Sequence, residues 1–416
     1  MLKVEEITAA APVDALPDAA RDQLATVVDP VLDSVTPALA LTVIHRGEVL
    51  LNRVWGWIDP DTRQIAATPD TRFDLASVTK MFTTTAFLAQ VSEGKVGLDD
   101  PLASVVPEFA ASGARPVEGG QDPHSRSRLP VEDGYEGREI DPRSVTFRQL
   151  LTHTSGLAPW RDVYNAAGAA PVAPGGSEPV ARAERWRRAL EAVCRYPFVG
   201  VPGDRIRYSD LGLMLLGESV ARLDGKPGRL DEVIAARVTQ PLNLQTVMFN
   251  PLQHGVAREK IAPTEDDPNW RRRRVWGEVH DENACGLGGV AGHAGLFGAA
   301  RDIAAFGQAW LAHDSRLGIA PALMDEAVCP HVETDGIRRG LGWLLVARED
   351  SSAGDRFSPN AFGHTGFTGT SLWIDPERRL VVACLTNSVY PGRLLPGTHE
   401  FRRTVHTALA DIADAR

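Results

Sequence analysis

Ser77 and Lys80 stand three residues apart in Phe73-Asp74-Leu75-Ala76-Ser77-Val78-Thr79-Lys80-Met81. An apolar run follows at helical spacing through Phe82, Ala86, Phe87, Leu88 and Val91, and Gly94 supplies a stop. A helix opened by Ser77 puts its hydroxyl and the Lys80 amine on one face, one turn apart. The positive end of the helix dipole disfavours a cation in that turn. With an apolar setting it pushes the amine towards its neutral form, which can take a proton from Ser77. Alone, the tetrapeptide also fits a serine N-cap followed by an incidental lysine. Two further clusters have chemical potential: Arg207-Tyr208-Ser209-Asp210, before a helical run from Leu211, and Gly363-His364-Thr365-Gly366, before the strand-like Thr370 to Ile374. A tyrosine ordinarily titrates near ~10, so Tyr208 needs a neighbouring cation, here Lys80, to act as a base near neutral pH. By itself Tyr208 also fits a packed aromatic at a helix entry, and Asp210 a helix N-cap.

The segments that must position these groups alternate in character. Residues 13–35 have helical apolar spacing; Ala38 to Ile44 is a nearly continuous apolar strand, and Val49 to Trp57 returns after a turn at His45 to Glu48. Residues 111–144 and 165–180 are rich in Gly, Pro, Ala and polar residues and read as long surface loops, the first bordering the cleft. Helices are expected over 178–196, 211–223, 230–238, 302–312 and 400–413, and strands over 341–347, 370–374 and 380–385. Strands thus lie towards both ends and helices fill the middle. The expected architecture is α+β, an α/β sandwich whose antiparallel sheet is flanked by N- and C-terminal helices. Its α/β domain comprises 13–76 plus 290–416, and residues 77–289 form an inserted, mostly helical domain. The active site is expected between the two.

Composition narrows the partners. The 416 residues carry a net charge of −10, which disfavours non-specific binding to nucleic acid or an anionic membrane surface. The run Arg271 to Arg274 follows Glu265, Asp266 and Asp267 and reads as a locally neutralised loop. The four cysteines, at 194, 285, 329 and 384, have no metal-ligand spacing. Lys3 is followed at once by Glu5 and Glu6 with no apolar stretch before Pro12, and no run is long enough to span a bilayer, so a cytoplasmic location is expected. Gly286, Gly288 and Ala291 formally match a dinucleotide-binding pattern, but no strand precedes them, and tight turns explain the glycines better. His280, Asp281, Glu282 and His293 have no recognised metal spacing, so neither a metal nor a cofactor is expected. That segment is expected to border the cleft, with His293 touching substrate. His153, beside Ser155, fits a turn-stabilising residue or a substrate contact more than a catalyst.

Taken together, Ser77-Val78-Thr79-Lys80, Tyr208-Ser209-Asp210 and His364-Thr365-Gly366 resemble the three-part signature of the penicillin-recognising serine hydrolases. The tyrosine-bearing second triplet is similar to the class C β-lactamase branch, with its esterases, D-aminopeptidases and DD-peptidases. Leu150-Leu151-Thr152-His153-Thr154-Ser155-Gly156-Leu157 strengthens the likeness, which runs from about Leu39 to Leu385. The resemblance implies Ser77 as nucleophile, Lys80 and Tyr208 sharing the proton work, and the backbone N–H groups of Ser77 and Phe367 as oxyanion hole. Asp210 stands where many relatives carry asparagine. If ionised it raises the Lys80 pKa, so either it is turned away or Lys80 stays charged and Tyr208 is the main base. His364 replaces a lysine that helps to hold a substrate carboxylate; a largely neutral histidine suits esters or other amides better than β-lactams. The resemblance therefore implies a serine hydrolase acting on a small ester, an amide or a peptidoglycan-derived muramyl peptide. The alternatives are a β-lactamase or DD-peptidase, and a penicillin-binding sensor that acylates and stalls.

Overall fold

The computed structural model describes residues 12–416 apart from positions 33, 124 and 395. The charges at Lys3, Glu5 and Glu6 lie outside the described residues. Nine antiparallel strands form the main sheet: β1 (Val13–Asp14), β2 (Ala38–His45), β3 (Glu48–Gly56), β4 (Val332–Thr334), β5 (Ile337–Arg339), β6 (Leu344–Leu345), β7 (Phe362–Thr365), β8 (Ser371–Asp375) and β9 (Leu380–Thr386), in the order β1-β3-β2-β9-β8-β7-β6-β5-β4. The centre of the sheet therefore joins both ends of the chain, with Val43 opposite Val382.

Both faces of the central strands are covered, which is why Ala38 to Ile44 is apolar without alternation. On β2, Leu39, Leu41 and Val43 pack against helices α1 (Asp18–Val28) and α5 (Thr398–Asp414), through Leu24, Val28, Phe401 and Val405. Ala40 and Ile44 face the opposite side, where α4 (Ala300–Leu311) lies. Gly307 lets α4 approach closely, since a Cβ there would stand 2.7 Å from Val381 Cγ1. On the α4 side of the sheet α2 (Thr79–Ser92) is buried from Thr79 to Gln90, and Phe82 stacks on Phe306 of α4 at 4.2 Å. A helix buried all round cannot follow a one-sided apolar stripe. Beside α2 packs α3 (Asp210–Leu223).

Several local expectations are corrected. Residues 13–35 are not one helix, because Val13 pairs with Asn52 as an edge strand and Pro17 ends the extended segment ahead of α1. Helix 178–196 contracts to Arg182–Val193, and 230–238 is α-helical only over Leu230–Ile234 before widening into a π turn. Residues 111–144 carry a two-strand ladder, Arg115–Pro116 with Glu139–Ile140. The arginine run is neutralised only in part by the acids before it, through Asp267, which accepts the Arg271 N–H at 3.1 Å and whose charge favours that of Arg271. Arg271 is buried and donates to the His280 carbonyl, Arg273 pairs with Glu278, and Glu265 is taken by Arg393.

Candidate active site

A short ladder delivers the serine. Phe73–Asp74 pairs with Leu296–Gly298, and the chain then turns through a 3₁₀ segment, Ala76–Val78, into α2. Ser77 thus sits on the turn ahead of the helix, and no side chain caps it. Ala76 has φ +45°, an unusual conformation for a residue with a Cβ, and its N–H donates to Asp74 Oδ1 at 2.8 Å. The other Asp74 oxygen accepts the His280 N–H at 2.6 Å. Burial pushes this carboxyl up to about 6, against the pull of those two N–H groups.

Lys80 Nζ meets three acceptors: Ser77 Oγ at 2.7 Å, the His293 carbonyl at 3.1 Å and Asp210 Oδ1 at 2.8 Å. The first two are hydrogen bonds, and the third is an ion pair without hydrogen-bond geometry. Burial opposes its charge, yet Asp210 and Tyr208 outweigh burial and hold the lysine above its ordinary pKa. Of the two alternatives left open by the sequence, Asp210 is not turned away: it stands 2.8 Å from the lysine nitrogen. Nor is Asp210 the N-cap of α3. Ser209 takes that place, accepting the Gly212 N–H at 3.2 Å, and Asp210 is the first helical residue.

Tyr208 lies among cations and histidines. Its ring centroid is 4.8 Å from Lys80 Nζ, 5.1 Å from the Arg339 guanidinium carbon, 4.5 Å from the His153 ring and 6.0 Å from the His364 ring. His364 is buried, and its Nδ1 lies 2.7 Å from the Thr365 carbonyl, so Nδ1 carries the hydrogen and Nε2 is a bare acceptor. Burial, with Arg339 and Lys80 nearby, drives its pKa well below the usual histidine value. It is neutral at pH 7.

The strand end after His364 is stapled to the serine turn. Thr368 Oγ1 donates to the Asp74 carbonyl at 2.7 Å and Thr370 Oγ1 to the Leu75 carbonyl at 3.1 Å. Arg402, from α5, donates to the carbonyls of Gly366 and Thr370 at 2.6 and 2.9 Å. A Cβ at Gly366 would stand 2.6 Å from the Leu75 oxygen, so only glycine allows this approach. The Phe367 N–H donates to no group among the described residues, while its side chain is exposed. His293 is buried: its carbonyl supports Lys80 and its Nε2 pairs with Asp281 Oδ1 at 2.9 Å, so its ring is directed to that carboxylate.

Arg339 was not among the residues singled out above. It ends β5 with 7% of its surface exposed, and its Nε and Nη1 find no hydrogen-bond partner among the described residues. A signal for it exists. Asp335-Gly336, with both φ positive, is a two-residue hairpin turn between β4 and β5, and it fixes which residues of Ile337-Arg338-Arg339 face the cleft. Arg402 carried no such signal, because its partners are backbone carbonyls distant in sequence, and Asp74 announces only its local bond to Ala76, not the one to His280. Among the described residues no group of three or more His, Cys, Asp or Glu is arranged to hold a metal ion, and no helix is long and apolar enough to cross a membrane.

Comparison with known proteins agrees with this geometry. The family model described as Beta-lactamase matches residues 21–406. A protein of Escherichia coli (strain K12) described as "Putative D-alanyl-D-alanine carboxypeptidase" is 31% identical over 373 residues, covering 84% of this chain and 78% of the relative. One of the same description from Salmonella agona (strain SL483) is 30% identical, covering 86% and 80%. Among solved structures, EstCE1, a hydrolase with promiscuous acyltransferase activity, aligns with a TM-score of 0.68 at 19% identity, covering 94% of this chain and 98% of that one. The octameric penicillin-binding protein homologue from Pyrococcus abyssi aligns at 0.65 with 21% identity, covering 94% and 77%. Fold and sequence thus converge: the chain belongs to the beta-lactamase family of serine hydrolases.

Proposed function

We propose that the protein hydrolyses a small amide or ester that ends in a free carboxylate, through an acyl-enzyme on Ser77. The observation that carries this reading is Lys80, ion-paired with Asp210 at 2.8 Å while donating to Ser77 Oγ at 2.7 Å. A lysine in that state cannot take the serine proton; it donates to Oγ and stabilises negative charge there. Tyr208 is then the general base, as in the class C branch. Ser77 Oγ attacks the carbonyl carbon while its proton passes to the Tyr208 oxygen, and the N–H groups of Ser77 and Phe367 receive the oxyanion. Tyr208 returns the proton to the leaving amine or alkoxide as the C–N or C–O bond breaks. Water then attacks the acyl-enzyme, giving its proton to Tyr208, which passes it back to Ser77 as the acid leaves.

Neutral His364 cannot supply the charge that a lysine brings to this place, but Arg339 can, with two nitrogens unpartnered beside Tyr208. A D-alanyl peptide, the substrate type in the names of the E. coli and Salmonella relatives, carries such a carboxylate. A second reading, hydrolysis of neutral esters, is favoured by the histidine at 364. Stopped-flow acylation with nitrophenyl acetate, nitrocefin and a muramyl peptide ending in D-Ala-D-Ala separates the two. Preferred turnover of the peptide supports the first; turnover of nitrophenyl acetate alone supports the second. Ser77→Ala is expected to abolish labelling by a fluorophosphonate with thermal stability nearly unchanged, and persistent labelling removes Ser77 from its role.

A further inference from the structure

We propose that His153 is the positioning residue that holds the Tyr208 ring in register for proton transfer. The inference rests on the base role given to Tyr208 above.

His153 follows the short helix Phe147–Leu151, whose start is fixed by a reciprocal cap between Thr146 and Gln149. It has φ +58° and is 1% exposed. A left-handed backbone is unfavourable for a buried residue with a Cβ and persists only where its surroundings enforce it. Here the conformation turns two acceptors of one residue towards the Tyr208 segment. The His153 carbonyl accepts the Arg207 N–H at 2.7 Å, and its Nδ1 accepts the Ser209 N–H at 3.0 Å. Both chain neighbours of Tyr208 are therefore bound by the same residue, whose ring packs on the Tyr208 ring at 4.5 Å with a 38° tilt. Nδ1 is an acceptor, so the ring hydrogen sits on Nε2.

The remaining contacts do not perform this task. Lys80 and Arg339 lie against the Tyr208 ring as charges, and neither holds the backbone of residues 207–209. Ser209 is spent capping α3 and donating to the Ala158 carbonyl. Without His153 the helix entry persists, but the ring loses its neighbour on one side and the Ser209 N–H loses its acceptor. A displacement of about 1 Å at a proton-transfer group costs ~10²-fold in rate.

The test is single-turnover acylation by nitrophenyl acetate in His153→Ala, His153→Asn and His153→Phe, beside Ser77→Ala, Tyr208→Phe and the double variant His153→Ala/Tyr208→Phe. His153→Ala is expected to slow acylation ~10²-fold with KM little changed. Asn tolerates the left-handed backbone and offers an oxygen for the Ser209 N–H, so His153→Asn is expected to recover part of the rate. In the Tyr208→Phe background, His153→Ala is expected to have no further effect, as for residues acting as one unit. Wild-type acylation in His153→Ala beside an impaired Tyr208→Phe overturns the inference alone, as does a full loss that persists in the double variant. A wild-type rate in Tyr208→Phe overturns the base role and this inference with it. If His153→Ala does not fold, the Asn and Phe variants carry the test: both at the wild-type rate overturns it, and a slower Phe than Asn supports it.

Discussion

Two cations border the catalytic cleft, and the protein treats them in opposite ways. Lys80 donates to Ser77 Oγ and the His293 carbonyl and is ion-paired with Asp210. Arg339 is almost as deeply buried, yet two of its nitrogens are left without partners beside the rings of Tyr208 and, further off, His364. Burying an unpaired polar group costs stability, and a buried charge costs more. On the function proposed above, the cation paired from within serves the internal chemistry and the one left short meets an anion that arrives from outside. The contrast separates reaction from recognition within one crevice.

Breaking the first side of this contrast has the largest expected effect. Lys80→Met removes the donor to Ser77 Oγ and strands the Asp210 carboxylate, and acylation of every substrate is expected to fall by about 10²–10⁴-fold. A loss confined to carboxylate-bearing substrates would erase the division of labour. Arg339→Met addresses the other side. It is expected to lower kcat/KM for a D-Ala-D-Ala peptide by ~10–10²-fold, as for a lost charged hydrogen bond, and to leave nitrophenyl acetate nearly unaffected. Because it removes an uncompensated buried charge, its melting temperature is expected to hold or rise; a uniform loss on both substrates removes the recognition role.

A third expectation concerns pH. Burial lowers His280 to about 3 and His406 to about 4, and holds His153 and His364 well below the ordinary value. Each is neutral when folded and titrates near ~6.5 when unfolded, so below that pH the unfolded chain binds more protons. Stability from these groups is complete above pH ~6.5 and drains away as pH falls. Asp74, raised to about 6, and Asp302, also raised by burial, work in the opposite sense, but they are two groups against five histidines once His45, likewise lowered by burial, is counted. Thermal melts at pH 7.5 and 5 are expected to show the lower midpoint in acid, and a flat profile contradicts this. The smallest effect is expected from His364→Lys. It adds a charge beside Arg339, so acylation by nitrocefin should rise relative to nitrophenyl acetate by less than ~10-fold. No change would show that position 364 does not read charge.

How much of this was legible in the sequence follows from the range of each signal. Ser77, Lys80 and Tyr208 announce themselves by residue type within short phrases, and the apolar strand Ala38 to Ile44 by its unbroken run. The protonation of Lys80 was not legible, because it depends on acceptors contributed by residues 77, 210 and 293 together. Arg339 escaped for a related reason: Arg115 and Arg271 also have two buried nitrogens without partners, and what sets Arg339 apart is its place against the Tyr208 ring. The break at Val13 and Pro17 was hidden because apolar spacing over 13–35 ignores the pairing of Val13 with a strand forty residues on.

The pairing of β2 with β9 sets the order in which this enzyme comes into being. As the chain leaves the ribosome, the segment at 38–45 must wait for the one at 380–386 before the middle of the sheet can close. The threonines that staple the serine turn arrive just before that partner. A polypeptide lacking those strands has Ser77 and Lys80 but not the threonines that hold the serine turn, so the pocket is not assembled until residues 362–386 have been made.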